Sequence, residues 1–150
     1  MNNQETGTGA IAGDVVERML ATARSFAQRA YVPYSQFPVG AAVLTADGEI
    51  IGGVNIENAS YGLTVCGERV AIFTAAAAGH REIRAVAVSA PKAAGTTPCG
   101  ACRQVMNEFK PFDNDLIVFL DDGERVRQVP LGELLPESFG PRDLERATDR

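Results

Sequence analysis

Three cysteines in two short motifs, Cys66-Gly67-Glu68 and Pro98-Cys99-Gly100-Ala101-Cys102, set the strongest constraint on how this chain can fold. Cys99 and Cys102 bracket two residues at the start of an expected helix, a spacing suited to two thiolates on one metal. Cys66 opens a helix of its own. A fold that uses all three must bring two helix N-termini together, where the positive helix ends favour ionised sulfur. The cysteine number is odd, and Met1 to Gly13 is polar and Gly-rich without the basic start or apolar run of a secretory signal. Metal binding or catalysis is therefore a better use for these thiols than disulfides, and a cytoplasmic location is expected.

Three thiolates on zinc leave a fourth position for water, which marks a catalytic rather than a closed site. Glu68 lies two residues beyond Cys66, on the same first turn, so it can reach such a water without ligating the metal. Zinc lowers the pKa of its water to roughly 7, and a neighbouring carboxylate can then take that proton and hand it on. Three thiolates also crowd negative charge around the dication. Arg69, three residues from Cys66, can offset part of it by donating to a ligand sulfur.

The rest of the chain reads as a frame for these motifs. Asp14 to Ala30 is an amphipathic helix with Val16, Met19, Leu20, Ala23, Ala27 and Ala30 on one face, capped by Asp14 with Glu17 three positions on. Val39–Thr45 and Glu49–Val54 form a hairpin around Asp47-Gly48, and Leu116–Leu120 and Arg125–Val129 form another around Asp122-Gly123. Between them lie a loop from Asn55 to Gly62, a helix over Val65–Ala78 stopped by Gly79, a strand over Ile83–Ala90, a loop from Pro91 to Pro98 and a helix over Cys99–Phe109. A short helix follows near Leu131–Leu135. This order predicts an α/β fold, a mixed five-stranded sheet with helices on both faces. Residues 14–141 read as one domain, 1–13 as a flexible lead-in and 142–150 as a charged tail. A net charge of -5 speaks against a nonspecific grip on nucleic acid, and no segment has the apolar length to span a bilayer. A small neutral ligand is the better partner.

With these residues assembled, the chain resembles the homotetrameric zinc-dependent cytidine deaminases from about Tyr31 to Pro141. The likeness is carried by Tyr34-Ser35-Gln36-Phe37-Pro38-Val39-Gly40-Ala41-Ala42, Asn55-Ile56-Glu57-Asn58-Ala59-Ser60-Tyr61, Cys99-Gly100-Ala101-Cys102-Arg103-Gln104 and Leu134-Leu135-Pro136-Glu137-Ser138-Phe139-Gly140-Pro141. Zinc nucleobase deaminases with a three-cysteine site use a nearby Glu, not itself a ligand, as general acid and base, and the motifs here are similar to that pattern. The resemblance implies a three-layer α/β/α fold and one zinc per subunit on Cys66, Cys99 and Cys102, with Glu68 as proton shuttle. It implies that Asn55 and Glu57 hold the ribose 3′-hydroxyl and that Phe37 packs against the nucleoside. It also implies a homotetramer with sites at subunit interfaces, where Phe139 stacks on the base in a neighbour's site. The family commonly has Ala where this chain has Gly67, which would loosen the helix start slightly.

Read without the resemblance, Asn55 is a turn former, Glu57 a solvated loop charge, and Phe37 and Phe139 core aromatics. His80, the single histidine, could close a structural zinc site. However, it stands at the far end of the helix that Cys66 opens, so a surface position is expected. Two rival functions share the metal motif: a deaminase of nucleoside antibiotics, and a noncatalytic zinc-stabilised binding module that would have no need of Glu68.

Overall fold

The computed structural model describes residues 10–148. Its elements, in chain order, are α1 (Gly13–Ala27), β1 (Gly40–Thr45), β2 (Ile50–Val54), α2 (Gly67–Ala77), β3 (Ile83–Ser89), α3 (Gly100–Phe109), β4 (Ile117–Asp121), β5 (Val126–Pro130), α4 (Leu131–Leu134) and α5 (Pro141–Thr148). The strands form one five-stranded sheet in the order β2-β1-β3-β4-β5. β3 and β4 run parallel and the other pairs antiparallel, so the sheet is mixed as expected.

Side-chain alternation along the strands divides the core between the two faces. Ala42, Leu44, Ala85, Ala87 and Phe119 pack with Met19, Leu20 and Ala23 of α1 on one face. Ala41, Val43, Val86, Val88, Val118 and Leu120 pack with Ala71, Ile72 and Ala75 of α2 and with Cys102 and Met106 of α3 on the other. These central strands are buried on both sides, which is why they read as nearly continuous apolar runs.

Both large helices lie close to the sheet because glycines face them. A Cβ on Gly40 would come within 1.8 Å of the Ala23 carbonyl oxygen of α1. One on Gly53 would come within 2.3 Å of the Ala71 nitrogen of α2. Gly67 follows the same logic: its added Cβ would meet the Val39 carbonyl oxygen at 2.8 Å. The missing methyl at Gly67 therefore lets the start of α2 approach β1 and β2.

Several boundaries differ from the sequence reading. α1 starts at Gly13, inside the expected lead-in, while residues 1–9 of that lead-in lie outside the described residues. Its N-cap is Ala12, with no side-chain cap, and Asp14 instead sits in the first turn, where its charge complements the helix dipole. α1 also stops at Ala27, because Tyr31 leaves to form a bridge with Ile56, its N–H donating to the Asn55 carbonyl at 3.2 Å. The stretch read as a tail is helical from Pro141. Proline suits a first helical turn, and the Asp143 carboxylate accepts from the Gly140 N–H at 2.8 Å, as a capping box does. His80 is not a plain surface residue: its Nε2 lies 2.9 Å from Glu49 and its Nδ1 3.4 Å from Asp47, which ties the end of α2 to the first hairpin.

At the far side of the sheet, Arg24 of α1 donates from Nε and Nη2 to the two carboxylate oxygens of Asp121, each at 2.7 Å. Ser89 also donates to Asp121 at 2.8 Å. The Arg24 bonds first, then Ser89, hold the Asp121 carboxyl down to about 2 against the opposing effect of its burial.

Gly53→Ala forces α2 off the sheet and is expected to cost about 1–3 kcal/mol in urea unfolding. Asp121 has a folded pKa below its ordinary value, so its pairing stabilises the fold above about pH 4 and the benefit fades as pH falls through about 2. Arg24→Ala is accordingly expected to lose about 1 kcal/mol at neutral pH, a figure reduced because the arginine is half exposed, with the deficit vanishing towards pH 2 in the same measurement.

Candidate active site

The two cysteine motifs meet at one end of the sheet because each begins a helix on the same face. Cys66 is the N-cap residue of α2 and Cys99 that of α3, while Cys102 sits one turn into α3. Cys66 is positioned from behind by a bridge between Val65 and Ile56, whose N–H and C=O groups exchange two bonds of 3.0 Å. The sulfurs of Cys66 and Cys99 are 3.8 Å apart, those of Cys99 and Cys102 3.4 Å, and all three lie within 4.8 Å of one another. Tetrahedral zinc with Zn–S bonds of about 2.3 Å sets its sulfurs about 3.8 Å apart, so this triad fits such an ion. The three thiols differ in setting: Cys102 is buried, Cys66 half-buried and Cys99 exposed.

Charge is shared unevenly between Cys66 and Cys102. The adjacent Cys102 thiol first, and then the Arg69 guanidinium, draw Cys66 down to about 5. The Cys66 sulfur first, and then burial, push Cys102 upward, so of this pair Cys66 is the one that ionises. The Arg69 Nη2 lies 3.5 Å from the Cys66 sulfur, as its place three residues on suggested, while its Nε is buried with no partner among the described residues.

Glu68 is 4% exposed and on the first turn of α2. Burial raises its carboxyl to about 7, the Cys66 thiolate adds to the rise, and the Arg69 charge opposes it. A carboxyl tuned to this range can take and return a proton near neutral pH.

Glu68, Cys66 and Cys99 line one wall of a cleft of about 440 Å³, completed by Ser35, Phe37, Val39, Asn55, Glu57, Thr64, Thr96 and Thr97. Most residues singled out from the sequence are thus brought together. Cys102 lies behind the wall, Arg69 sits beside Cys66, and Phe139 is elsewhere, 62% exposed after α4. Its carbonyl accepts from Gln104 Nε2 and Asn107 Nδ2, both at 3.0 Å.

Asn55 and Glu57 also build the cleft. Asn55 accepts from the Val39 N–H at 2.9 Å and donates to the Phe37 carbonyl at 2.8 Å. Glu57 accepts from the Ser35 hydroxyl at 2.6 Å and from its N–H at 3.1 Å. The Ser35 Oγ in turn accepts from the Phe37 N–H at 3.0 Å. These bonds hold the turn through Gln36, whose φ is +54°, and aim Phe37 at the cleft. The wall residues Thr64, Thr96 and Thr97 carry no signal in the sequence beyond a loop position next to Pro98 or Cys66.

Residues 14–119 match the family described as the cytidine and deoxycytidylate deaminase zinc-binding region. A protein of Halalkalibacterium halodurans named cytidine deaminase is 50% identical over 115 residues, covering 77% of this chain and 86% of its own. Another of that name from Sporosarcina psychrophila is 42% identical, with 90% and 98% covered. The crystal structure of cytidine deaminase from Burkholderia pseudomallei superposes with a TM-score of 0.75 at 46% identity, covering 82% of this chain and 98% of that one.

Proposed function

The chain belongs to the cytidine and deoxycytidylate deaminase family, and we propose that the cleft hydrolyses cytidine and 2′-deoxycytidine to the corresponding uridines and ammonia. It is a cytidine deaminase, a hydrolase acting on a C–N bond. The observation that carries the detailed reading is the buried Glu68 beside three clustered thiols in a cleft of nucleoside size.

Cys66, Cys99 and Cys102 would hold one zinc per subunit, and the ion would supply Lewis acidity that makes a water a better proton donor. Arg69 donates to the Cys66 sulfur and so tempers the negative charge of the ligand set. Glu68 takes the proton of the attacking water and delivers it to the pyrimidine N3. The oxygen adds to C4, which becomes tetrahedral. Glu68 then carries the second proton to the exocyclic amine, the C4–N bond breaks, ammonia leaves and the C4 carbonyl forms. Two protons and one oxygen are thereby accounted for.

Phe37 would pack on the nucleoside, with the capacity left on Asn55 and Glu57 taking the ribose 3′-hydroxyl. A carboxylate there repels a 5′-phosphate or a polynucleotide, which favours free nucleosides and a place in pyrimidine salvage. The catalytic unit is a single domain over residues 14–141. Its assembly is a homotetramer with sites at subunit interfaces and Phe139 reaching a neighbour's base. Exposed Tyr61 at 75%, Leu63 at 66% and Phe139 supply apolar area for such contacts. A cytoplasmic location suits three thiols that must stay reduced to bind metal.

Loss of cytidine ultraviolet absorbance tests the reaction, with zinc assayed alongside. Glu68→Gln is expected to lower turnover by about 10²–10⁴-fold while keeping zinc and fold. Retained turnover would remove Glu68 as the shuttle. Zinc in both proteins with no cytidine turnover by either would favour another substrate or a noncatalytic zinc module. For the assembly, light scattering is expected to report a tetramer, and a fully active monomer would overturn the shared site.

A further inference from the structure

Of the three sulfurs, that of Cys99 depends most on its backbone. Cys102 is locked in the core and Cys66 is backed by Arg69, whereas Cys99 is exposed. What holds its approach loop is a second arginine that touches no sulfur. Arg103, in the first turn of α3, donates from Nε to the Pro98 carbonyl at 2.7 Å and from Nη2 to the Thr97 hydroxyl at 3.3 Å. Its Nη1 donates to the Leu134 carbonyl at 2.8 Å, at the end of α4. All three bonds end on main-chain carbonyls or a hydroxyl, so the guanidinium charge is spent on bracing two segments of chain. Pro98 is buried and bonded directly to Cys99, and Thr97 lines the cleft.

We propose that Arg103 is a positioning residue for the metal site, a strut from α4 to the Thr97-Pro98 loop that fixes where the Cys99 sulfur stands. The inference rests on the reading that the three cysteines hold zinc. The planar fork is what the role needs, because it meets three acceptors in different directions at once. A lysine ammonium, on a thinner stem with a single nitrogen, cannot span Pro98 and Leu134 together.

The test uses the zinc-loaded protein and its cobalt(II)-substituted form. Zinc release to a chromogenic chelator and the sulfur-to-cobalt charge-transfer absorption are read for wild type, Arg103→Lys, Arg103→Ala and Thr97→Val. Arg103→Lys and Arg103→Ala are expected to release zinc about 10–100-fold faster and to shift or weaken the cobalt band. Added methylguanidinium is expected to restore the band in Arg103→Ala. Thr97→Val removes one of the three acceptors and is expected to move both readouts less, in the same direction, so the test stands even if an Arg103 variant does not fold. Release rates and a cobalt band like those of wild type in the folded variants would overturn the strut alone. A wild type that takes up neither zinc nor cobalt would overturn both the strut and the zinc reading.

Discussion

The seating of α2 against the sheet at Gly53 is the contact on which the site depends. With the added Cβ only 2.3 Å from the Ala71 nitrogen, the helix lies nearer than any side chain there would allow. That depth buries Ala71, Ile72 and Ala75 and sets Cys66 and Glu68 at the sheet end where α3 delivers Cys99 and Cys102. α1 makes the matching approach at Gly40 on the other face, so the sheet is clamped between two helices at backbone contact. Precision at the cleft thus begins with the absence of side chains at two strand positions.

Electrostatics completes what packing begins. A buried carboxyl next to a thiolate would ordinarily be costly, since both desolvation and like charge disfavour its ionisation. Here the two effects bring Glu68 to about 7, where the acid and its conjugate base are both accessible. Arg69 restrains the rise while drawing Cys66 towards thiolate, so one cation tunes two groups of opposite duty. The helix N-terminus beneath Cys66 likewise favours its thiolate.

The parts of the fold and site legible in the sequence are those written in local chemistry. The two cysteine motifs announce their helix starts, Asp47-Gly48 and Asp122-Gly123 mark both hairpins, and apolar runs mark strands covered on both faces. What stays hidden depends on contacts between distant segments. The end of α1 is decided by the Tyr31–Ile56 bridge, which no helical propensity encodes. Asn55 and Glu57 look like turn residues or ligand contacts, and the geometry shows each of them also anchoring the Phe37 loop through backbone partners. The cap that makes a helix of Pro141–Thr148 is present as Gly140-Pro141-Arg142-Asp143, and it is masked by the density of charge around it.

The crowding of the three sulfurs carries a liability as well as a use. A thiolate at Cys66 with a pKa of about 5 is ionised at neutral pH, and it stands 3.8 Å from an exposed neighbour that itself lies 3.4 Å from a third thiol. Stripped of metal, such a cluster has the nucleophile and the partner needed for oxidation to sulfenic acid and then to a disulfide. An ion held there would protect the thiols as well as serve the chemistry. Oxidant exposure and metal scarcity would act together on this chain, each making the damage of the other harder to reverse.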